Sequence, residues 1–209
     1  MASRREFLQM GVAALALPIS ARAGAKPPVS SGAAAEAAPL PLYKAIYDER
    51  HASSRAFADE ARRLGAAVHG IRGDITDLWF HELEARWRKE PVAIAGLTEH
   101  GPLFCLERLS WDHGMRVIYR ADHTHRADGY MVHELSGSER MLREAVELSS
   151  SGPDWNARMA SLLTRCPAGR AQASKLTVVT PAAKRAGDPE HLVSWVIAPV
   201  GNARRFSRA

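Results

Sequence analysis

The chain has 209 residues, of which 46% are hydrophobic and 24% are charged, and its formal net charge is +5. These proportions are typical of a single globular domain and exclude a chain that is mainly disordered. Residues 1–23 carry three arginines and one glutamate, so the net charge of the rest is +3, too small to predict a nucleic-acid-binding surface.

The first residues carry the features of an export signal. Ser3-Arg4-Arg5-Glu6-Phe7-Leu8 precedes an apolar stretch, Met10 to Ile19, and Ala21-Arg22-Ala23 fits a small-x-small cleavage site. This segment resembles the twin-arginine signal peptides, in which two arginines precede a polar residue, Phe and Leu. The resemblance implies a signal peptide over residues 1–25, export of the folded chain by the Tat translocase, a periplasmic location and no stable membrane insertion after cleavage.

The remaining chain divides by composition. Residues 26–39 are rich in Ala, Pro, Ser and Gly, which predicts a flexible linker, whereas residues 40–200 are expected to form one domain and residues 201–209 a basic, solvated tail. Export makes a disulfide between Cys105 and Cys166 possible, but Cys105 stands in an apolar run and is predicted to be a small core residue.

Strands and helices alternate through the first half of the domain. The apolar pattern predicts strand Leu42–Tyr47, helix Ser53–Leu64 ended by Gly65, strand Ala67–Ile71, a helix capped by Asp74, strand Val92–Leu97, a helix from Thr98 to about Asp112, and strand Arg116–Arg120. This alternation predicts an α/β fold with three layers, in which helices cover both faces of a mostly parallel sheet.

The second half is less regular. Tyr130–Leu135 is predicted to return antiparallel to the fourth strand, and two helices are predicted over Ser138–Leu148 and Asp154–Arg165. Two further strands, Leu176–Thr180 and Leu192–Ile197, are expected to pair as an antiparallel C-terminal hairpin at the edge of the sheet.

Polar residues follow each of the four strands predicted to be parallel. Ligands of open parallel sheets bind beyond the carboxyl ends of the strands, so these residues are expected to gather at one rim. They are Asp48 to His51, Arg72 to Asp74, Thr98 to Gly101 and Asp122 to Arg126.

One interpretation of this rim is an anion-binding site without catalysis. The guanidinium groups of Arg50 and Arg72 suit a carboxylate or phosphate, and the free N–H groups near Thr98 would add a partial positive charge. Asp74 and His100 complete this candidate ligand-binding set. The protein would then be an exported ligand-binding or accessory protein.

A second interpretation is a divalent-metal site. His123 and His125 form an HxH pair that Asp48 or His100 could complete, and imidazole with carboxylate suits zinc, iron or copper. Such a metal could generate hydroxide from bound water and serve a metal-dependent enzyme.

A third interpretation is an interaction module that serves a larger exported oxidoreductase. Trp79, Phe80 and Trp87 could form an exposed aromatic patch, although packing in the core is the commoner role of such residues. The sequence contains no G-x-G-x-x-G after the first strand, no P-loop and no G-x-S-x-G, which disfavours dehydrogenase and hydrolase functions that depend on those motifs.

Overall fold

The computed structural model describes residues 40–146, 152–166, 174–181 and 184–200, which form an α/β fold around a seven-stranded sheet. The strands are β1 (Leu42–Asp48), β2 (Val68–Ile71), β3 (Ala93–Thr98), β4 (Met115–His125), β5 (Tyr130–Gly137), β6 (Ser174–Pro181) and β7 (His191–Pro199). The helices are α1 (Ala52–Arg63), α2 (Thr76–Leu78), α3 (Glu84–Lys89), α4 (His100–Ser110), α5 (Glu139–Ala145) and α6 (Trp155–Thr164), with a π-helical turn at Trp79–Leu83. The predicted signal peptide, linker and basic tail lie outside the described residues.

The first half follows the predicted alternation of strands and helices. β1 lies between β2 and β3 and is parallel to both. α1 ends at Arg63, and Gly65, which the sequence predicts as the stop of this helix, follows with a φ of +87°, the left-handed conformation that a glycine adopts without steric cost. None of the helices within the described ranges is long and apolar enough to cross a membrane.

The sheet is mixed, so the prediction of a mostly parallel sheet is wrong. The strand order is β2-β1-β3-β7-β4-β5-β6, and β7 is antiparallel to both of its neighbours, β3 and β4. β5 returns antiparallel to β4, as predicted.

The predicted C-terminal hairpin does not form, because β6 and β7 occupy different places in the sheet. β6 pairs with β5 at the edge, and its residues alternate between exposed and buried positions near its end. β7 is buried from Leu192 to Ala198, as a strand covered on both faces requires. Its apolar residues, interrupted by the buried Ser194, are those of a central strand.

The buried side chains form two separate clusters. Alternate residues of β3 enter different clusters, Ile94 one and Ala95 the other, since successive side chains of a strand point to opposite faces. Residues of α1, α5 and α6 belong to the cluster of Ala95, and residues of α2, α3 and α4 belong to the cluster of Ile94.

The aromatic residues of the α2–α3 region are divided between core and surface. Trp79 and Trp87 are buried and pack edge to face, with 5.9 Å between their ring centroids, whereas Phe80 is 66% exposed. Cys105 and Cys166 form no disulfide with each other: Cys166 is buried, and Cys105 is exposed. The prediction that Cys105 belongs to the core is wrong, because the apolar run that contains it is helical and turns its side chain outward.

Replacing Gly96 by Ala tests the packing of β3 against β7. The added Cβ would lie 2.5 Å from Cζ2 of Trp195 and 2.8 Å from the carbonyl oxygen of Ile46. Because both neighbours are buried, we expect the free energy of unfolding in urea to fall by about 1–3 kcal/mol. The control is Gly101→Ala, whose Cβ would meet no heavy atom within 4 Å. It should leave stability unchanged or raise it, and an equal loss in both variants would contradict this account.

Candidate functional site

The carboxyl ends of β1 and β3 lie side by side, because these strands are neighbours in the sheet. Asp48 is the last residue of β1, and Arg50 and His51 follow it before α1 begins. Glu99 stands between the last residue of β3 and the first residue of α4. We call these four residues, which two adjacent loops bring together, the edge cluster.

Arg50 holds both carboxylates of the edge cluster. Its Nε and Nη2 donate to Oδ1 and Oδ2 of Asp48 at 2.9 Å and 2.7 Å, and Nη2 also donates to Oε2 of Glu99 at 2.6 Å. Burial raises the pKa of Asp48, but the hydrogen bonds and charge of Arg50 outweigh it, so that this pKa lies below its ordinary value. Two carboxylates therefore face one guanidinium, which leaves them a net negative charge.

His51 is the unusual member of the edge cluster, since one of its ring nitrogens has no hydrogen-bond partner. The residue is 7% exposed, and its Nδ1 lies 3.2 Å from the carbonyl oxygen of Gly187. A carbonyl only accepts, so Nδ1 carries a proton, and a neutral ring would present a lone pair at Nε2. Nε2 is buried and faces Oε1 of Glu99 at 3.5 Å and Oδ2 of Asp48 at 3.8 Å.

These separations are compatible with ligands of one metal ion. They exceed the 2.7–3.2 Å range of ordinary hydrogen bonds. Two ligands that each lie about 2.0–2.1 Å from a tetrahedral zinc are about 3.3 Å apart. One ligand atom from each of Asp48, His51 and Glu99 lies within 4.8 Å of the others. Among the described residues, these three side chains form a group that could hold a metal ion.

A loop that precedes β7 holds the ring of His51 in place. Gly187, which supplies the carbonyl oxygen, has a φ of +84°, a conformation that favours glycine. The next residue, Asp188, is buried and accepts hydrogen bonds from the backbone N–H of Ser53 at 2.9 Å and from its hydroxyl at 2.6 Å. A histidine oriented through its second nitrogen by a carbonyl is a common arrangement in metal sites.

The sequence gives only part of the signal for this cluster. His51 and Glu99 stand at predicted strand ends, but their spacing of 48 positions matches no metal motif. Gly187 is 136 residues from His51, so the contact that sets the tautomer is invisible in the sequence.

The other residues of the predicted ligand-binding set do not join Arg50. Arg72 and Asp74 are exposed. Asp74 accepts from the backbone N–H and hydroxyl of Thr76, but the N-cap of α2 is Ile75, so the prediction that Asp74 caps this helix is wrong. Thr98 is buried and accepts from the indole N–H of Trp195 at 3.1 Å. His100 is exposed and stacks on Phe104, with 6.2 Å between ring centroids.

His123 and His125 lie within β4 rather than in a loop at the rim, which corrects the prediction that the fourth strand ends near Arg120. The polar residues from Asp122 to His125 are typical of a loop, but β4 continues through them and pairs with β5 and β7. Asp48 groups with His51 and Glu99, and neither His123 nor His125 belongs to that group.

His123 instead forms a buried histidine pair with His133 of β5. Their Nδ1 atoms are 2.6 Å apart, His123 Nε2 lies 2.8 Å from the hydroxyl of Ser194, and His133 Nε2 lies 2.9 Å from that of Thr180. Each ring nitrogen thus has a partner inside the protein. Burial is the main cause that lowers the pKa of both residues, and the charge of neighbouring histidines adds to it; together they lower the pKa of His133 to about 4.

The buried histidine pair should make stability depend on pH. The pKa of His133 is about 4 in the folded protein and about 6.5 in an unfolded chain, so protons bind the unfolded state first. The neutral His133 therefore contributes fully to the free energy of unfolding above about pH 6.5. This contribution, up to about 3 kcal/mol, is lost as the pH falls towards 4.

Urea unfolding of wild type and His133→Gln at several pH values between 7.5 and 4.5 measures this effect. We expect the acid-induced loss of stability to be smaller in the variant, whatever its stability at pH 7.5. His81→Gln is the control, because the His81 side chain is 79% exposed. Equal acid-induced losses in wild type and His133→Gln would contradict the assignment.

Comparisons of the chain with models of protein families, with curated proteins and with solved structures found no match. The geometry of the edge cluster is therefore the basis for a functional conclusion.

Proposed function

We propose that this protein binds one divalent transition-metal ion through Asp48, His51 and Glu99. The observation that supports this proposal is the buried Nε2 of His51, which has no hydrogen-bond partner and faces two carboxylate oxygens. A neutral ring would turn the lone pair of Nε2 towards two carboxylates, which is unfavourable without a cation between them. A proton on Nε2 is the alternative to a metal ion, and the metal titration below distinguishes the two. One imidazole and two carboxylates suit zinc, manganese or iron better than calcium or magnesium.

The proposed ligand set would leave part of the coordination shell open. Catalytic zinc sites commonly have three protein ligands and one exchangeable water. A metal held in this way can polarise a bound oxygen or lower the pKa of its water. The candidate metal-dependent function therefore moves from the HxH pair to the edge cluster.

The anion-binding alternative has weaker support. Without a metal, Nε and Nη2 of Arg50 donate to Asp48 and Glu99, whose two negative charges exceed its own, and Arg72 does not join them. Non-catalytic service to an exported oxidoreductase stays an alternative that rests on the export signal alone. The three-layer arrangement also stays a prediction, for which the two core clusters are the support.

Metal titration of the purified protein tests the proposal. After treatment with a chelator and dialysis, wild type should bind one Zn²⁺ or Co²⁺ per chain in isothermal titration calorimetry. His51→Gln should weaken binding by more than about 100-fold, because loss of a mere supporting residue often costs about 10- to 100-fold.

His100→Gln is the matched control, since His100 is an exposed histidine at the start of α4 and lies outside the edge cluster. Its affinity should equal that of wild type. If His51→Gln bound the metal ion as tightly as wild type, His51 would not be a metal ligand. Its Nε2 would then carry a proton and pair with the two carboxylates.

The periplasmic location is a second proposal, which the resemblance of residues 1–25 to twin-arginine signals supports. Replacing Arg4 and Arg5 by lysine should retain the precursor in the cytoplasm of a bacterium that has the Tat translocase. Fractionation and immunoblotting measure this, with Arg22→Lys as the control that keeps the arginine pair. Processed protein in the periplasm of the double variant would contradict the assignment.

A further inference from the structure

Arg50 donates hydrogen bonds to the same carboxylates that would bind the metal. Its Nη2 lies 2.7 Å from Oδ2 of Asp48, which is also the Asp48 oxygen nearest to Nε2 of His51. Glu99 divides its two oxygens, with Oε2 bound to Arg50 and Oε1 turned towards His51. A metal and the guanidinium would thus share Asp48 and Glu99.

The space around Arg50 lets its guanidinium reach both carboxylates. A Cβ on Gly73 would lie 2.6 Å from Nη2 and 3.0 Å from Nη1 of Arg50, so a glycine leaves the room that the group needs. The Arg50 side chain is 40% exposed, which gives a dissolved ligand access to it. The guanidinium therefore lies at the boundary between the edge cluster and solvent.

The net charge of the edge cluster changes sign when a metal binds. Without it, two carboxylates and one guanidinium have a net charge of −1; with a divalent ion the same groups have a net charge of +1. The metal and Nη2 would be bound to the same Asp48 oxygen, where two cations repel each other. An anion that contacts both cations would relieve this repulsion.

We infer that the edge cluster, if it binds a metal as proposed above, takes a phosphate or carboxylate oxyanion as its second ligand, held between the metal and Arg50. One oxygen of the anion would take the open position of the metal, and a second would accept from the guanidinium. Nε and Nη2 of Arg50 already donate to Asp48 and Glu99, so the donors at Nη1 would bind the anion. Metal and oxyanion would then bind cooperatively, each increasing the affinity of the other by the same factor.

The test measures Co²⁺ affinity of the full mature chain with and without inorganic phosphate, and separately with acetate, with chloride as the ionic-strength control. Co²⁺ also gives a visible spectrum that reports a change of ligands. For wild type we expect phosphate or acetate to tighten Co²⁺ binding by about 5- to 150-fold and to change the spectrum. The anion with the larger effect identifies the preferred class.

Arg50→Gln should still bind Co²⁺ but lose the coupling to the anion. Because Asp48 is buried and this variant removes its partner, Arg50→Lys is the second variant, which keeps the charge without the fork and should retain weak coupling. Arg72→Gln is the control and should behave as wild type. Thermal unfolding of each variant establishes that it is folded.

The outcomes separate the two proposals. If wild type bound no Co²⁺, the proposed metal function and this inference would both be wrong. If wild type bound Co²⁺ and neither anion changed the affinity or the spectrum, the inference alone would be overturned. Coupling that persisted in a folded Arg50→Gln variant would also overturn it, because the anion would then not depend on Arg50.

Discussion

The ion pair between Asp48 and Arg50 is the interaction on which the candidate site depends. Asp48 is fully buried at the end of β1, and an unpaired carboxylate there would cost several kcal/mol. Two side-chain donors and one backbone donor of Arg50 satisfy it, which fixes the path of the chain between β1 and α1. His51 lies in this connection between β1 and α1, so the ion pair between Asp48 and Arg50 also determines where its ring lies.

The same constraint extends to the adjacent loops. Glu99, at the end of β3, completes the bonds of Arg50, and Gly73, which follows β2, leaves the space for it. Three parallel strands thus contribute to one small cluster because their carboxyl ends meet at one edge of the sheet. The general location of the site follows from this rule, whereas its composition depends on which side chains can satisfy a buried carboxylate.

β7 both makes the sheet mixed and completes the site. It enters between β3 and β4, where Trp195 packs on Gly96 and its indole N–H donates to Thr98 next to Glu99. The loop before it brings Gly187 to His51. A strand near the end of the chain therefore sets the orientation of a histidine near the beginning of the domain.

The histidines of this protein show that partners, rather than residue type, decide a role. His123 belongs to the HxH pattern that predicts a metal site, yet both of its ring nitrogens are satisfied by His133 and Ser194. His51 belongs to no motif, yet its Nε2 faces two carboxylates without a partner. A motif identifies candidates, and the surrounding hydrogen bonds select among them.

The sequence by itself determined most elements of the first half, because apolar periodicity and helix ends such as Gly65 are local properties. It also determined the edge of the sheet at which Asp48 and Arg50 lie, and the export signal stays a prediction from residues 1–25. The tertiary structure alone decided that β7 is a central strand and that His51, Glu99 and Gly187 meet. Strand order depends on contacts between distant segments, and no local pattern records which distant backbone carbonyl will accept a histidine proton.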